Sequence, residues 1–151
     1  MSFKEKNITV SLTTSTLILG YFITRVFQLF QDESFTSTNI FRLWGIVIGL
    51  TIVTTILGTI LTHIVSAIIE VIKTGEEDPK IEDFEDERDQ LIELKGTKIT
   101  YIVFSLGVLI SMLSFVFGQP PLVMFSLLIF SGSMAQVISD IARLVLYRRG
   151  F

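Results

Sequence analysis

The sequence has no cysteine, one histidine and three prolines among its 151 residues. Without cysteine the chain cannot form a disulfide, a thiolate nucleophile or a cysteine metal site. A single histidine excludes every site that needs two. Ser-His-Asp and Cys-His sets, phosphate-cradling glycine loops and calcium-loop spacings are missing as well. We therefore expect a non-catalytic protein with no metal and no cofactor.

Charged residues are also scarce, at 18%, whereas half of the residues are hydrophobic. The mean hydropathy of +0.65 is too high for an ordinary soluble domain, whose surface needs more charge. These values exclude a secreted disulfide scaffold, a disordered tail and a basic nucleic-acid-binding module. Nucleic acid is therefore not an expected partner.

The apolar residues form four blocks, each long enough for a helix to cross a bilayer, which takes about 20 residues. The sequence Gly118-Gln119-Pro120-Pro121 separates the last two and predicts a tight hairpin turn. We therefore predict an all-α, single-domain integral membrane four-helix bundle, built from two antiparallel hairpins. The predicted spans are about 8–30, 41–73, 97–117 and 121–147.

Lysine and arginine are distributed unevenly between the two ends of these spans. The termini and the middle loop carry ten of them, and the opposite side carries only Arg25 and Arg42. By the positive-inside rule, both termini and the middle loop face the cytoplasm. The expected location is the plasma membrane of a prokaryotic cell, with lipids as neighbours.

The middle loop, 74–96, contains ten carboxylates between residues 76 and 93. Asp78-Pro79 is typical of a helix start, and apolar residues recur on one face from there. We predict an acidic amphipathic helix that leads into the third span, with a carboxylate face that either is simply solvated or binds a protein partner. The candidate partner-binding residues are Glu82, Asp83, Asp86, Glu87, Asp89 and Glu93.

A second set of charges lies near the cytoplasmic ends of the spans. Glu70 and Arg143 occupy equivalent positions in the two hairpins, and opposite charges there favour pairing. Arg88 and Lys95 lie on the apolar stripe of the acidic helix, within reach of lipid phosphates or of carboxylates such as Asp140. These five residues form a candidate charge network.

Small and hydroxyl residues recur on one face of the second span at spacings of three and four. Such a face either packs closely against another helix or lines a hydrophilic pathway. His63 lies beside it, either as a hydrogen-bonding group or as a proton relay. The candidate residues are Thr51, Thr55, Gly58, Thr62, His63 and Ser66.

The two predicted hairpins show weak similarity to each other. Leu19-Gly20 aligns with Leu106-Gly107, and Phe30 aligns with Phe117. Each hairpin enters from the same side, so the similarity favours a parallel repeat about an axis along the membrane normal, as in some transporters.

The run from Asp86 to Gly96, DERDQLIELKG, carries a resemblance to a known family. It is similar to the D-E-R-D/E-x-x-I-x-x-K/A signature of uncharacterised prokaryotic four-helix membrane proteins, in which two helical hairpins flank a charged cytoplasmic segment. The resemblance implies the same layout but no reaction. Some members resemble membrane partners of small transcription regulators, which implies control by sequestration.

Two functions remain open from the sequence. The first is an interaction, regulatory or accessory membrane protein that presents the acidic helix to a protein partner. The alternative is a small transporter or channel with the Thr/Gly face of the second span along its pathway. Four helices enclose little space, so the alternative predicts a homo-oligomer.

Overall fold

The computed structural model describes residues 3–74 and 87–149. These residues form four α-helices: α1 (Phe3–Gln31), α2 (Ser37–Thr74), α3 (Glu87–Val116) and α4 (Pro121–Arg148). Each helix is long and apolar enough to cross a membrane. The protein is therefore an all-α membrane bundle of two helical hairpins, as the apolar blocks predict.

Both hairpin turns begin with the same pattern of backbone hydrogen bonds. The pattern lies at the C-terminal end of α1 in one hairpin and of α3 in the other. In the α3–α4 turn, Gly118 has a φ of 83°, and its N–H donates to the carbonyl of Phe115. Gln119 N–H then donates to the carbonyl of Ser114 at 3.1 Å. This is a Schellman motif, in which glycine accepts the left-handed conformation at little cost. Proline at the first position of α4 completes the predicted tight turn.

The interior of the bundle contains polar side chains beside its apolar clusters. Among the described residues, the buried side chains include Ser111, Ser126, Ser131, Ser139 and Asp140. Large hydrophobic side chains instead lie exposed along all four helices. This distribution suits a lipid environment, where small and polar residues mediate helix contacts and apolar residues face acyl chains.

The closest helix contact joins α3 to α4 through small residues. A Cβ at Gly107 would overlap the side chain of Ser131 and lie 3.4 Å from its Cα. At the other end of the contact, the buried Ser139 hydroxyl donates to the carbonyl of Gly96 at 2.8 Å. The two helices therefore approach closely at Gly96 and Gly107, where α3 has no side chain.

Helix α4 is central to the bundle, since it packs against both α3 and α1, whereas α2 packs mainly against α1. Two apolar clusters hold this arrangement. One joins Ile8, Ile92 and Tyr147 near the termini. The other surrounds Phe22 and Leu43 in the opposite half of the molecule. The space between the clusters contains the candidate site.

The two hairpins pack differently at the positions that the predicted repeat makes equivalent. Gly107 contacts Ser131 closely, whereas a Cβ at Gly20 would meet nothing within 4 Å. Any similarity between the hairpins therefore does not extend to this helix contact.

Candidate functional site

A cavity of about 770 Å³ lies between α1, α2 and α4. At one end its wall includes Ile18, Val47 and Ile129, which belong to the apolar cluster around Phe22. Asn7 and Arg143 lie at the other end, towards the termini. The volume is in the range of small-molecule sites. The polar residues of its wall are Asn7, Ser11, Thr14, Ser15, Thr51, Thr54, Thr55, Thr59, Glu93, Ser133, Gln136, Asp140 and Arg143.

Asp140 is the most deeply buried charged residue on this wall, with only 1% of its surface exposed. One carboxylate oxygen accepts a hydrogen bond from the Ser11 hydroxyl at 2.8 Å. The other accepts from Nε2 of Gln136 at 3.1 Å and from Nη1 of Arg143 at 3.3 Å. Buried carboxylates persist when such donors surround them, because they replace the lost hydration.

Arg143 extends the network from α4 to α3. Its Nη2 lies 3.1 Å from Oε2 of Glu93, whose side chain is 44% exposed. The stem of Arg143 crosses α3 at Gly96, where a Cβ would lie 2.7 Å from the Arg143 Cγ and clash with Nε. Only glycine leaves room for the arginine at this crossing. One continuous chain of contacts thus joins Ser11 on α1, Asp140 and Arg143 on α4, and Glu93 on α3.

The charges of this network do not cancel. Two carboxylates, Asp140 and Glu93, bind a single guanidinium, that of Arg143. The formal charge of the three groups is −1. The Asp140 carboxylate is buried and Glu93 is partly exposed, so the buried part of this charge is screened less than it would be in water.

The α2 wall is lined by threonine hydroxyls that are already bonded to their own helix. The Thr51 hydroxyl donates to the carbonyl of Val47 at 2.9 Å, and the Thr55 hydroxyl donates to that of Thr51 at 2.7 Å. Thr54 and Thr59 make the same bond one turn back. A hydroxyl that donates in this way retains acceptor lone pairs, which these residues offer to the cavity.

These positions bear on the predicted face of the second span. Thr51, Thr55 and Gly58 line the cavity, and a Cβ at Gly58 would meet nothing within 4 Å. This part of α2 is therefore a cavity wall, and the closest helix contact described lies on α3 and α4 instead. The side chains of the other three candidates lie outside the described residues. They are Thr62, His63 and Ser66.

The structure describes part of the predicted charge network. Arg143 binds Asp140 and Glu93, whereas the Glu70 side chain, its predicted partner, lies outside the described residues. Arg88 donates to the carbonyl of Tyr147 at 3.1 Å. Lys95 is partly buried on α3.

The candidate partner-binding acids divide into three groups. Asp89 accepts a hydrogen bond from the Tyr147 hydroxyl at 2.8 Å, and Glu93 binds Arg143. Glu87 is exposed at the start of α3. Two of the predicted docking groups therefore hold α3 against α4. Glu82, Asp83 and Asp86 lie outside the described residues.

Ser11 and Gln136, which donate hydrogen bonds to Asp140, were not predicted from the sequence. A serine among several hydroxyl residues of α1 gives no distinguishing signal. Gln136 lies four residues before Asp140 on α4, and that helical spacing could have indicated a bonded pair. Among the described residues, no three histidine, cysteine or carboxylate side chains are grouped as metal ligands.

Comparison with known proteins adds no relative to this description. The chain matches no protein-family model, no curated protein and no solved structure.

Proposed function

We propose that this protein is a non-catalytic membrane protein that binds a small solute in the cavity and moves it across the bilayer. The observation that supports the proposal is the cavity itself, whose wall between apolar helices carries the buried Asp140 and the partly buried Arg143. Ionisable residues at such positions are costly, and in membrane proteins they commonly mark solute pathways.

The shape of the cavity suits one stage of such a cycle. Glu93, at the end near the termini, is partly exposed. The apolar cluster around Phe22 and Leu43 lies beyond the opposite end. A site with a polar entrance on one side and an apolar barrier on the other corresponds to a transporter that faces one compartment. With both termini in the cytoplasm, as the lysine and arginine distribution predicts, that compartment is the cytoplasm.

Cysteine labelling tests whether the cavity contains water, and the natural absence of cysteine makes each variant unambiguous. We expect Thr55→Cys to react at least about ten-fold faster than Ile56→Cys with a membrane-impermeant thiol reagent, because only a hydrated thiol ionises readily. Thr55 lines the cavity, whereas Ile56 is exposed outside it. The reagent is added to inside-out vesicles and, separately, to intact cells.

Transport is then measured in proteoliposomes with a panel of labelled charged solutes. Labelling of Thr55→Cys should abolish uptake, and labelling of Ile56→Cys should leave it unchanged. Equal labelling rates for the two cysteines, or no uptake of any solute, would contradict the proposed function. Faster reaction in intact cells than in inside-out vesicles would reverse the proposed orientation.

A second candidate function, docking of a basic protein partner on the acidic segment, is supported by the way α3 begins. Arg88 and Asp89 are bonded to Tyr147 on α4, and Glu87 points outwards from this fixed start. A rigid support lowers the entropic cost of presenting a charged surface to a partner. Long-range attraction would accelerate the encounter and make it sensitive to salt.

We expect partner capture to be lost when four of the candidate acids are neutralised together. The changes are Glu82→Gln, Asp83→Asn, Asp86→Asn and Glu87→Gln, with Asp89 and Glu93 retained because they hold α3. Crosslinking in native membranes followed by mass spectrometry gives the partner list. The control replaces Asp32 and Glu33, at the opposite end of the molecule, with their amides. An identical partner list for both variants would argue against docking on this segment.

A further inference from the structure

The hydrogen-bonding groups on the cavity wall are unbalanced, because much of their donor capacity is already used. Ser11 donates its hydroxyl proton to Asp140, and Gln136 donates to it through its amide nitrogen. Thr51 and Thr55 donate to their own helix. Each of these groups retains acceptor lone pairs on its oxygen.

Arg143, the cation of the wall, is held by carboxylates on both of its terminal nitrogens. Nη1 contacts Asp140 and Nη2 contacts Glu93, while Nε is buried beside Gly96 on the far side of the contact. An anion that bound the remaining Nη hydrogens would lie beside both carboxylates and be repelled by them. Acceptor groups and a formal charge of −1 instead favour a ligand that brings positive charge and N–H donors.

The rest of the wall is apolar, and this favours organic cations over metal cations. Ile48, Ile52, Phe104 and Leu128 line the cavity alongside the polar groups. Calcium and magnesium require six or more oxygen ligands in a complete shell, which a wall with this much hydrocarbon does not provide. A ligand with an apolar body and a cationic head fits both parts of the wall. The ring of Phe104 adds a favourable cation–π contact when the cationic head lies over its face.

We propose that the cavity binds organic cations that combine an apolar body with an N–H-bearing ammonium head. The inference rests on the proposed function and names its substrate class. In the bound state, the ammonium donates to the carboxylates of Asp140 and Glu93 and to threonine oxygens of α2, and the hydrocarbon body contacts the isoleucines.

Three probes of similar size separate charge from hydrogen-bond donation. The first is 2-phenylethylammonium, the second is its N,N,N-trimethyl derivative, which lacks N–H donors, and the third is the anion 3-phenylpropionate. Equilibrium dialysis compares nanodiscs that contain the full-length protein with empty nanodiscs of the same lipid. We expect the protein to retain the first probe at least about ten-fold more strongly than the third, and also more strongly than the second.

Two variants locate the binding site without removing the buried Asp140. Glu93→Gln neutralises a partly exposed carboxylate, and Thr55→Val replaces a hydroxyl by a methyl group of similar shape. Each should weaken retention of 2-phenylethylammonium several-fold. Thr24→Val is the matched control, because the Thr24 hydroxyl bonds its own helix at the carbonyl of Gly20 outside the cavity wall.

The outcomes separate this inference from the proposed function. Preferential retention of 3-phenylpropionate, or retention unchanged by Glu93→Gln and Thr55→Val, overturns the cation assignment. If Thr55→Cys is labelled rapidly and some other solute is taken up, the proposed function stands while this inference fails. If the cysteine is not labelled and no probe is retained, both fail.

Discussion

Gly107→Ala is expected to lower the free energy of unfolding by about 2 kcal/mol, a large loss for the addition of one methyl group. The new Cβ would occupy space held by the Ser131 side chain, and the Cα of Ser131 is only 3.4 Å away. The Cα and Cβ of Ser131 cannot move away by a side-chain rotation, so α3 and α4 must separate. The loss outweighs the gain of about 1 kcal/mol that alanine brings to a helix.

The other hairpin provides the control for this change. Gly20 aligns with Gly107, but its Cβ would meet nothing within 4 Å, so Gly20→Ala should be neutral or stabilising. Adding Ser131→Gly to Gly107→Ala should recover most of the lost stability. Reversible unfolding in mixed micelles with increasing SDS measures all four proteins. Equal effects of the two alanines would show that the α3–α4 contact is not tight in the membrane.

Asp140→Leu is expected to cost roughly 3 kcal/mol, because it leaves an arginine and two polar donors without their buried acceptor. Ser11 and Gln136 both donate to the Asp140 carboxylate, and Arg143 contacts it at 3.3 Å. The loss should also weaken the contact between α1 and α4, which this carboxylate bridges. The same SDS titration measures the cost.

A double-mutant cycle separates charge from packing. Arg143→Met removes the stranded cation, so Asp140→Leu with Arg143→Met should be more stable than Asp140→Leu alone by about 2 kcal/mol. Glu93 then loses its partner but is partly exposed and can be hydrated. Arg148→Met, at an exposed arginine one turn further on, is the control and should change little. Strict additivity of the two central changes would refute the coupling.

The helices themselves follow from the sequence, because their length and apolar composition are local properties. Four runs long enough to cross a bilayer predict four helices, and Gly118 followed by two prolines predicts the turn between α3 and α4. The apolar residues that recur on one face after Asp78-Pro79 likewise predict a helix that leads into the third span, although its predicted start lies outside the described residues. The structure shows α3 running without interruption from Glu87 to Val116.

The packing partners could not be predicted in the same way. Small residues recur on α2, and equally on α3 and α4, and sequence spacing does not tell which of these faces meets another helix. Gly107 and Ser131 meet closely, whereas Thr51 and Thr55 line a cavity. The difference arises from the position of α4 between its neighbours, which is a property of the whole bundle.

The contacts of the charged residues likewise could not be predicted from the sequence alone. The sequence predicts a pair between Arg143 and Glu70, whose side chain lies outside the described residues, and does not predict that Arg143 contacts two other acids. Asp140 lies three residues away on the same helix, and Glu93 lies where α3 crosses at Gly96. That crossing depends on Gly96, which leaves space for the Arg143 side chain. The local sequence contains no pattern that predicts such a contact.

The central position of α4 has a consequence for biogenesis. This helix follows the other three in the chain, so it leaves the ribosome after them. Until it arrives, Ser11 and Glu93 lack the Asp140 and Arg143 with which they bond. The earlier helices must therefore reside in the bilayer without these contacts, and a ribosome that stalls before α4 would leave behind a product that membrane quality control can recognise.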